Sequence, residues 1–273
     1  MIERAVSFGR SSNLIGIVSE PDVFLKSSRP DILILNSGLT HKIGAFRMSV
    51  DLARKLAADG FRVLRFDISG VGDSRVRLAR EAGEDIPVSD VRDAMDFLSE
   101  HHGTGRFVLM GLCSGSDNSH RTAVADPRVV GAAHLDGLGF RTPRYYANFY
   151  GPRLRSGTFL ATQLKRRLLA SRRPTSTTLV NSYERKFPPI EQVARDFAAL
   201  MARNVRLLYV YTHGAHLYTN YRDQLREAFP SIGFGDRLEV EMYPYAEHTY
   251  PTVRSRATVV NRVVDWAQRI FGG

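Results

Sequence analysis

The stretch Gly111-Leu-Cys-Ser-Gly115 contains the residues of this sequence that are best suited to covalent chemistry. It directly follows a predicted strand, residues 106–110, and leads into a predicted helix. A nucleophile on such a sharp strand-to-helix turn, a nucleophile elbow, needs small residues two positions before and two after it, because larger side chains would clash there. Gly111 and Gly115 meet this need for Cys113. The helix N-terminus would also favour the thiolate form of that side chain.

Two other interpretations of this stretch stay open. Ser114 could be the reactive residue, although Leu112, two positions before it, breaks the small-residue rule. Cys113 could also be a small buried core residue, as cysteine often is. Because it is the only cysteine in the chain, an internal disulfide and a cysteine-rich zinc site are both excluded.

The elements that must position this turn follow from the alternation of short apolar runs with amphipathic helical stretches. Such alternation is typical of a mostly parallel sheet with helices on both faces. The first predicted strand, residues 31–36, is short and continuous in apolar residues, as buried strands are. The others cover residues 61–66, 106–110, 129–135, 205–211 and 238–243. The predicted helices cover residues 46–59, 89–101, 114–125, 221–229 and 254–271. The sequence therefore predicts an α/β fold.

This alternation stops between residues 139 and 200, where no comparable strand occurs. We interpret residues 139–200 as a basic helical cap insertion over the sheet edge, and residues 1–138 and 201–273 as the core. The segment from Arg141 to Lys186 has eleven basic residues against one acidic residue, so it accounts for the whole net charge of +10. A basic block of this kind favours an anionic partner, with a solvated basic surface as an equal alternative.

The composition excludes several classes of protein. Apolar residues make up 43% and charged residues 24% of the chain, which is ordinary globular usage. No run approaches the ~20 apolar residues of a membrane span, and the first twenty residues lack the layout of a secretory signal. We therefore expect a cytoplasmic protein. No motif predicts a cofactor, a metal or a nucleic-acid partner.

Three motifs together resemble a known family. Asn36-Ser-Gly-Leu-Thr-His-Lys-Ile-Gly44, Arg65-Phe-Asp-Ile-Ser-Gly-Val-Gly-Asp-Ser74 and Gly111-Leu-Cys-Ser-Gly115 are similar to motifs of the α/β-hydrolase superfamily. The closest resemblance is to serine-aminopeptidase-like members and to the hydrolases encoded beside exosortase and exopolysaccharide systems, some of which also carry Gly-Leu-Cys. The resemblance implies the α/β-hydrolase fold and acyl chemistry at Cys113.

The resemblance also implies roles for two backbone amides and a histidine. The N–H groups of Leu39 and Ser114 would form the oxyanion hole, although the glycine before Leu39 could simply form a turn at a strand end. The base would be His248, since the family places its catalytic histidine between the last strand and the final helix. Imidazole can hold a thiolate as an ion pair at neutral pH. The alternative for His248 is a histidine in a surface loop.

The acid departs from the family pattern. Members usually carry it in the loop that corresponds to residues 212–220, which contain no carboxylate here. We assign it to Asp136, because some members place the acid at the end of the preceding strand, and the chain order nucleophile, acid, base is then kept. Asp136 could instead only cap that strand. Asp223, a side chain such as Asn220, or the absence of a third residue stay open as alternatives.

Together these residues predict a cysteine-nucleophile hydrolase that acts on an ester or thioester through an acyl-enzyme. An acyltransferase with an acceptor other than water is the first alternative. A non-catalytic hydrolase-fold binding protein of a polysaccharide system is the second. The basic cap predicts a small or carrier-linked acyl substrate with anionic character, and an acidic carrier protein or an anionic membrane surface as partner.

Overall fold

A computed structural model of the chain describes residues 1–22, 29–78, 83–155 and 186–273. One sheet of eight strands runs through these residues: β1 (Ile2–Phe8), β2 (Leu14–Glu20), β3 (Asp31–Leu35), β4 (Val63–Asp67), β5 (Phe107–Leu112), β6 (Val129–Leu135), β7 (Arg206–Thr212) and β8 (Leu238–Tyr243). Their spatial order is β1-β2-β4-β3-β5-β6-β7-β8. The β1–β2 and β2–β4 pairs are antiparallel, and all the others are parallel.

The described residues also form seven α-helices. They are α1 (Met48–Ala58), α2 (Ile86–His102), α3 (Ser114–Ala125), α4 (Pro143–Arg155), α5 (Ile190–Ala202), α6 (Gln224–Ala228) and α7 (Val253–Phe271). Successive strand residues point to opposite faces of the sheet. Leu33 and Leu109 pack on one face with α2 and α5, while Ile32 and Val108 pack on the other face with α1 and α7. The predicted α/β fold, with a mostly parallel sheet and helices on both faces, is confirmed.

The N-terminal hairpin of β1 and β2 is an addition to the predicted strands, which begin at residue 31. Strand β1 lies at the edge of the sheet, where most of its side chains are exposed or half-buried. It therefore mixes charged and apolar residues and lacks the continuous apolar run of the central strands, all five residues of β3 and of β4 being buried.

The predicted cap insertion at residues 139–200 stays a prediction, because residues 156–185 lie outside the described part of the chain. Those undescribed residues include most of the basic block. Within the predicted cap, helix α5 buries Val193, Phe197 and Leu200 in the same hydrophobic core as α2. No helix of the described residues is both long and apolar enough to cross a membrane.

The register of the parallel strands aligns their C-terminal ends. Leu35 of β3 pairs with Gly111 of β5, Leu112 with Leu135 of β6, and Leu135 with Val210 of β7. The loops that follow these strands therefore leave the sheet at one edge, which is where open α/β sheets bind ligands. Residues that are far apart in sequence meet at this edge.

Close packing at this edge leaves no room for a side chain two residues before or two residues after Cys113. A Cβ atom on Gly115 would lie 2.4 Å from the backbone oxygen of Asn36, and one on Gly111 would lie 2.2 Å from the backbone carbon of Gly115. Backbone atoms cannot move aside as a flexible side chain can. Both glycines are therefore required by the contact between β5, the end of β3 and the start of α3.

We expect Gly115→Ala to lower the free energy of unfolding by at least about 2 kcal/mol, because the added methyl group would overpack a site bounded by backbone. Denaturant unfolding of the variant and the wild type measures this difference. Gly105→Ala is the matched control, since a Cβ atom there meets nothing within 4 Å. Equal stability of Gly115→Ala and the wild type would contradict the packing described here.

Candidate active site

Cys113 occupies the turn between β5 and α3 in a strained backbone conformation. Its φ of 56° and ψ of −117° lie in a backbone region that residues other than glycine rarely adopt. The Cys113 N–H donates to the backbone oxygen of Leu135 at 2.9 Å, which fixes the turn to β6. The side chain is half-buried at the start of α3. Cys113 thus lies where the sequence predicts it, at a helix N-terminus beside the loops of the sheet edge.

His248 lies in the loop between β8 and α7 and contacts Asp136, the acid that the sequence predicts. Its Nδ1 lies 2.6 Å from Oδ2 of Asp136. An ionised carboxylate only accepts hydrogen bonds, so Nδ1 is the donor and the opposite nitrogen, Nε2, is left to face a second group. The Cys113 side chain also hydrogen-bonds with His248. The structure thus brings together Cys113, His248 and Asp136, in that order of contact.

Asp136 is fully buried and is held by the strand next to its own. Its Oδ1 accepts from the N–H of Thr212 at 2.7 Å, and its Oδ2 accepts from the Thr212 hydroxyl at 2.6 Å. A buried carboxylate is costly unless it is hydrogen-bonded or paired, and Thr212 and His248 supply these partners. The last residue of β7 thus holds the acid that follows β6. No motif in the sequence pointed to Thr212, which ends β7 directly before the loop that lacks a carboxylate.

The environment of His248 favours its charged form. The hydrogen bond with Asp136, and next the one with Cys113, raise the pKa of His248 to about 9, although burial lowers it. A folded-state pKa above neutrality means that the imidazolium is the main form at pH 7. A positive imidazolium stabilises a neighbouring thiolate, so the site is set up for a thiolate–imidazolium pair.

The alternative acids lie elsewhere. Asp223 precedes helix α6, where its backbone oxygen accepts from the N–H of Glu227 at 2.9 Å. The Asn220 side chain donates to the backbone oxygen of Tyr145 at 3.1 Å. Within the described residues, neither of the two hydrogen-bonds with His248. The arrangement therefore favours Asp136 over both.

The loop after β3 approaches the nucleophile turn through Gly38. The Gly38 N–H donates to the hydroxyl oxygen of Ser114 at 2.6 Å. Gly38 lies one residue before Leu39, the predicted donor. Leu39 itself is 89% exposed. The hydroxyl of Ser114 is thus engaged with this loop, while His248 interacts with Cys113. Leu39 and the Ser114 amide stay predicted oxyanion donors, while the Gly38 amide is already hydrogen-bonded to the Ser114 hydroxyl.

One cluster in the described part of the chain combines potential metal ligands. Atoms of His41, Asp67 and Asp73 lie within 4.8 Å of one another. The Lys42 ammonium contacts both carboxylates, at 2.8 Å from Asp67 and 2.5 Å from Asp73. A lysine therefore already supplies positive charge to these acids, and we assign no metal to the cluster.

The fold and the site define an α/β-hydrolase architecture, and the family comparison agrees. The family model described as "alpha/beta hydrolase fold" matches residues 31–178, so this chain belongs to the α/β-hydrolase family. The comparison with curated proteins finds no match. The finer resemblance to serine-aminopeptidase-like and exopolysaccharide-associated members stays a prediction.

Solved structures share the fold at low sequence identity. A hypothetical protein from Pseudomonas aeruginosa has a TM-score of 0.59 and 17% identity, over 98% of this chain and 93% of that one. A member of the α/β serine hydrolases without lid, from Xanthomonas campestris, has a TM-score of 0.57 and 14% identity, over 98% and 94%. An α/β serine hydrolase homologue from Coxiella burnetii has a TM-score of 0.54 and 14% identity, over 97% and 96%.

The raised pKa of His248 predicts how the reactivity of Cys113 depends on pH. Below a pH of about 9 the imidazolium is present and supports the thiolate, and this support is lost as the pH rises through that value. Since an ordinary thiol is only a few per cent ionised at pH 7, the wild type should react with iodoacetamide at least about tenfold faster than His248→Ala at pH 7. The two rates should converge above pH 9.

Two further variants test the assignment of the acid. Asp136→Asn should shift alkylation at pH 7 towards the rate of His248→Ala, because it removes the partner that holds the imidazolium. Asp223→Asn is the matched control and should react like the wild type. Equal rates of the wild type and His248→Ala at pH 7, or a loss confined to Asp223→Asn, would contradict this geometry.

Proposed function

We propose that this chain is a hydrolase that cleaves an ester or thioester with Cys113 as nucleophile, through an acyl-enzyme. The observation that carries the proposal is the contact between His248 and Asp136, at 2.6 Å, together with the interaction of His248 with Cys113. A nucleophile, a base and a group that orients the base are the parts that covalent acyl transfer requires. They lie at the sheet edge where this fold binds its ligands.

The first half of the reaction forms the acyl-enzyme. The Cys113 thiolate attacks the carbonyl carbon of the substrate, a carbon–sulfur bond forms, and the carbonyl oxygen becomes an oxyanion. The Ser114 amide, together with the Leu39 amide, stabilises that charge. As the intermediate collapses, the bond to the leaving alkoxide or thiolate breaks, and the His248 imidazolium gives the leaving group its proton.

The second half restores the enzyme. His248, now neutral, takes a proton from water as the water oxygen attacks the acyl-enzyme carbonyl. A second oxyanion forms and collapses, and the Cys113 thiolate leaves while His248 stays protonated. Asp136 keeps its charge throughout and holds the imidazole in orientation, as in other triads. Because a cysteine acylates readily and deacylates slowly, another acceptor in place of water would make the same site an acyltransferase.

The alternative of a binding protein without catalysis rests on the missing acid in the loop at residues 212–220. The hydrogen bonds of Asp136 with His248 and Thr212 remove that reason. A strained nucleophile turn and a buried charged residue both cost stability. Their presence together supports an active site over an inherited fold with no chemistry.

Intact-mass spectrometry tests the proposed nucleophile and base. After exposure to short-chain activated esters and thioesters, the wild type should carry a transient acyl adduct on Cys113. Cys113→Ala should carry none, and His248→Ala should acylate at least about 100-fold more slowly, as loss of a general acid–base predicts. Ser114→Ala, the matched control, keeps the backbone amide and should still be labelled on Cys113.

Two results would contradict the proposal. The first is an adduct that maps to Ser114. The second is a folded wild type that forms no adduct with any ester or thioester of the panel.

The basic block further supports an anionic acyl donor, such as a coenzyme A thioester or an acyl group on an acidic carrier protein. Its positive charge is concentrated between Arg141 and Lys186, which follow Asp136 closely in the sequence. An attraction between net charges is screened by salt, with a Debye length of about 10 Å at 0.1 M ionic strength. An anionic substrate should therefore bind less well as salt rises.

Steady-state kinetics with two acetyl thioesters tests this charge effect. The KM for acetyl-coenzyme A should rise at least about threefold between 0.05 and 0.5 M NaCl, because the Debye length falls severalfold towards ~3 Å at molar salt. The KM for the neutral S-acetyl-N-acetylcysteamine should stay unchanged. The same salt dependence for both thioesters would reject an anionic donor and leave the acyl chemistry itself standing.

A further inference from the structure

We propose that Asn36, Lys42 and Asp67 form a buried network that positions the backbone amides of residues 37–39 to receive the oxyanion. This inference rests on the proposed acyl chemistry at Cys113. None of the three side chains is part of the chain of contacts from Cys113 to Asp136. Their role is to hold the loop after β3, so they are positioning residues.

Asp67 is the centre of the network. It is fully buried at the end of β4, and its carboxylate accepts from the Lys42 backbone N–H at 2.5 Å and from the Lys42 ammonium at 2.8 Å. The side chain of Lys42 is itself only 4% exposed. Burying two charges is costly, and only close pairing with further hydrogen bonds offsets that cost. The loop after β3 is therefore fixed to β4 at residue 42.

Asn36 fixes the other end of the loop. Its Nδ2 donates to Asp67 at 3.1 Å and to the backbone oxygen of Thr40 at 2.8 Å. Its Oδ1 accepts from the N–H of Ile68 at 2.8 Å. One amide side chain thus joins the start of the loop, its turn and the segment after β4. All three groups that it contacts belong to the backbone or to the central carboxylate.

Between these two anchors the chain makes a tight turn that faces Cys113. The Thr40 N–H donates to the Ser37 oxygen at 2.9 Å, and Gly38 takes a positive φ of 54°, which glycine adopts without strain. The Gly38 N–H points at the hydroxyl of Ser114, 2.6 Å away. The residue that accepts this bond is the one that follows Cys113. The turn therefore holds residues 37–39 against the start of α3, beside the residue that follows Cys113.

Oxyanion stabilisation depends on donors that are already in place before the charge develops. Residues 37–39 lie between the two anchored residues, so any change at Asn36 or Lys42 reaches these amides directly. Loosening the anchors should weaken the transition state of acylation and leave the nucleophile unchanged. The network and the Cys113–His248–Asp136 contacts thus control two separable steps.

Two reactions of the same sulfur separate these steps. Acylation by an activated ester creates an oxyanion, whereas alkylation by iodoacetamide displaces iodide from a saturated carbon and creates none. We expect the activated ester to acylate Cys113 about 10- to 100-fold more slowly in Lys42→Met and Asn36→Ala than in the wild type. This fall in rate is somewhat smaller than the one caused by removing a whole oxyanion donor. The alkylation rate at pH 7 should stay within about twofold. In steady state the loss should fall on kcat and leave KM nearly unchanged.

The variants are chosen so that loss of folding does not decide the outcome. Lys42→Met removes the ammonium that pairs with the buried Asp67. Asn36→Ala keeps this ion pair and removes one hydrogen bond to the Asp67 carboxylate and two to the backbone. Lys42→Arg restores a cation and should recover part of the acylation rate. Lys55→Met is the matched control, since it removes a lysine that hydrogen-bonds Asn261 on the surface, and it should behave as the wild type in both reactions.

Each outcome is decisive. Acylation at the wild-type rate in folded Asn36→Ala and Lys42→Met would overturn the positioning role. An equal fall in acylation and alkylation would also overturn it, because the network would then act on the thiolate or on the fold. A wild type that is alkylated at Cys113 and never acylated would instead reject the proposed function, and the positioning role with it.

Discussion

The shared register of the parallel strands is the constraint on which the site depends. Because Leu112 pairs with Leu135, and Leu135 with Val210, the residues that follow these strands emerge side by side. Cys113 and Asp136 are such residues, and Thr212 ends the next strand. A slip of one residue in this register would turn each of them to the opposite face of the sheet. The apolar side chains that fill both faces therefore fix the chemistry as well as the fold.

Much of this arrangement was predictable, because it is carried by local patterns. The alternation of strand-like and helical stretches predicted β6 and β8 at their observed bounds, and the glycines around Cys113 predicted a turn that the backbone packing requires. The contact of Asp136 with His248, which the assignment of the acid needed, is present. Thr212 was not predictable, since it acts on a residue 76 positions away. No local pattern distinguishes it from an ordinary strand-end threonine.

The buried partners of Asp67 escaped prediction for a related reason. A lysine at position 42 reads as a solvated surface residue, because lysine is almost never fully buried unless it is paired. Its partner Asp67 lies 25 residues away, at the end of β4. The first carboxylate of the glycine-bearing motif after β4 has a structural role, because it holds the loop that carries the candidate oxyanion donors.

Two buried carboxylates thus act on different parts of this sheet edge. Asp136 is held by Thr212 and orients a side chain that must change its protonation state, so its partner is a histidine with a pKa near 9. Asp67 instead orients backbone, and its partner is the ammonium of Lys42 at 2.8 Å. In the proposed reaction the cation beside Cys113 gives up its proton, whereas the Lys42 ammonium lies between two carboxylates and holds the loop that carries the amides.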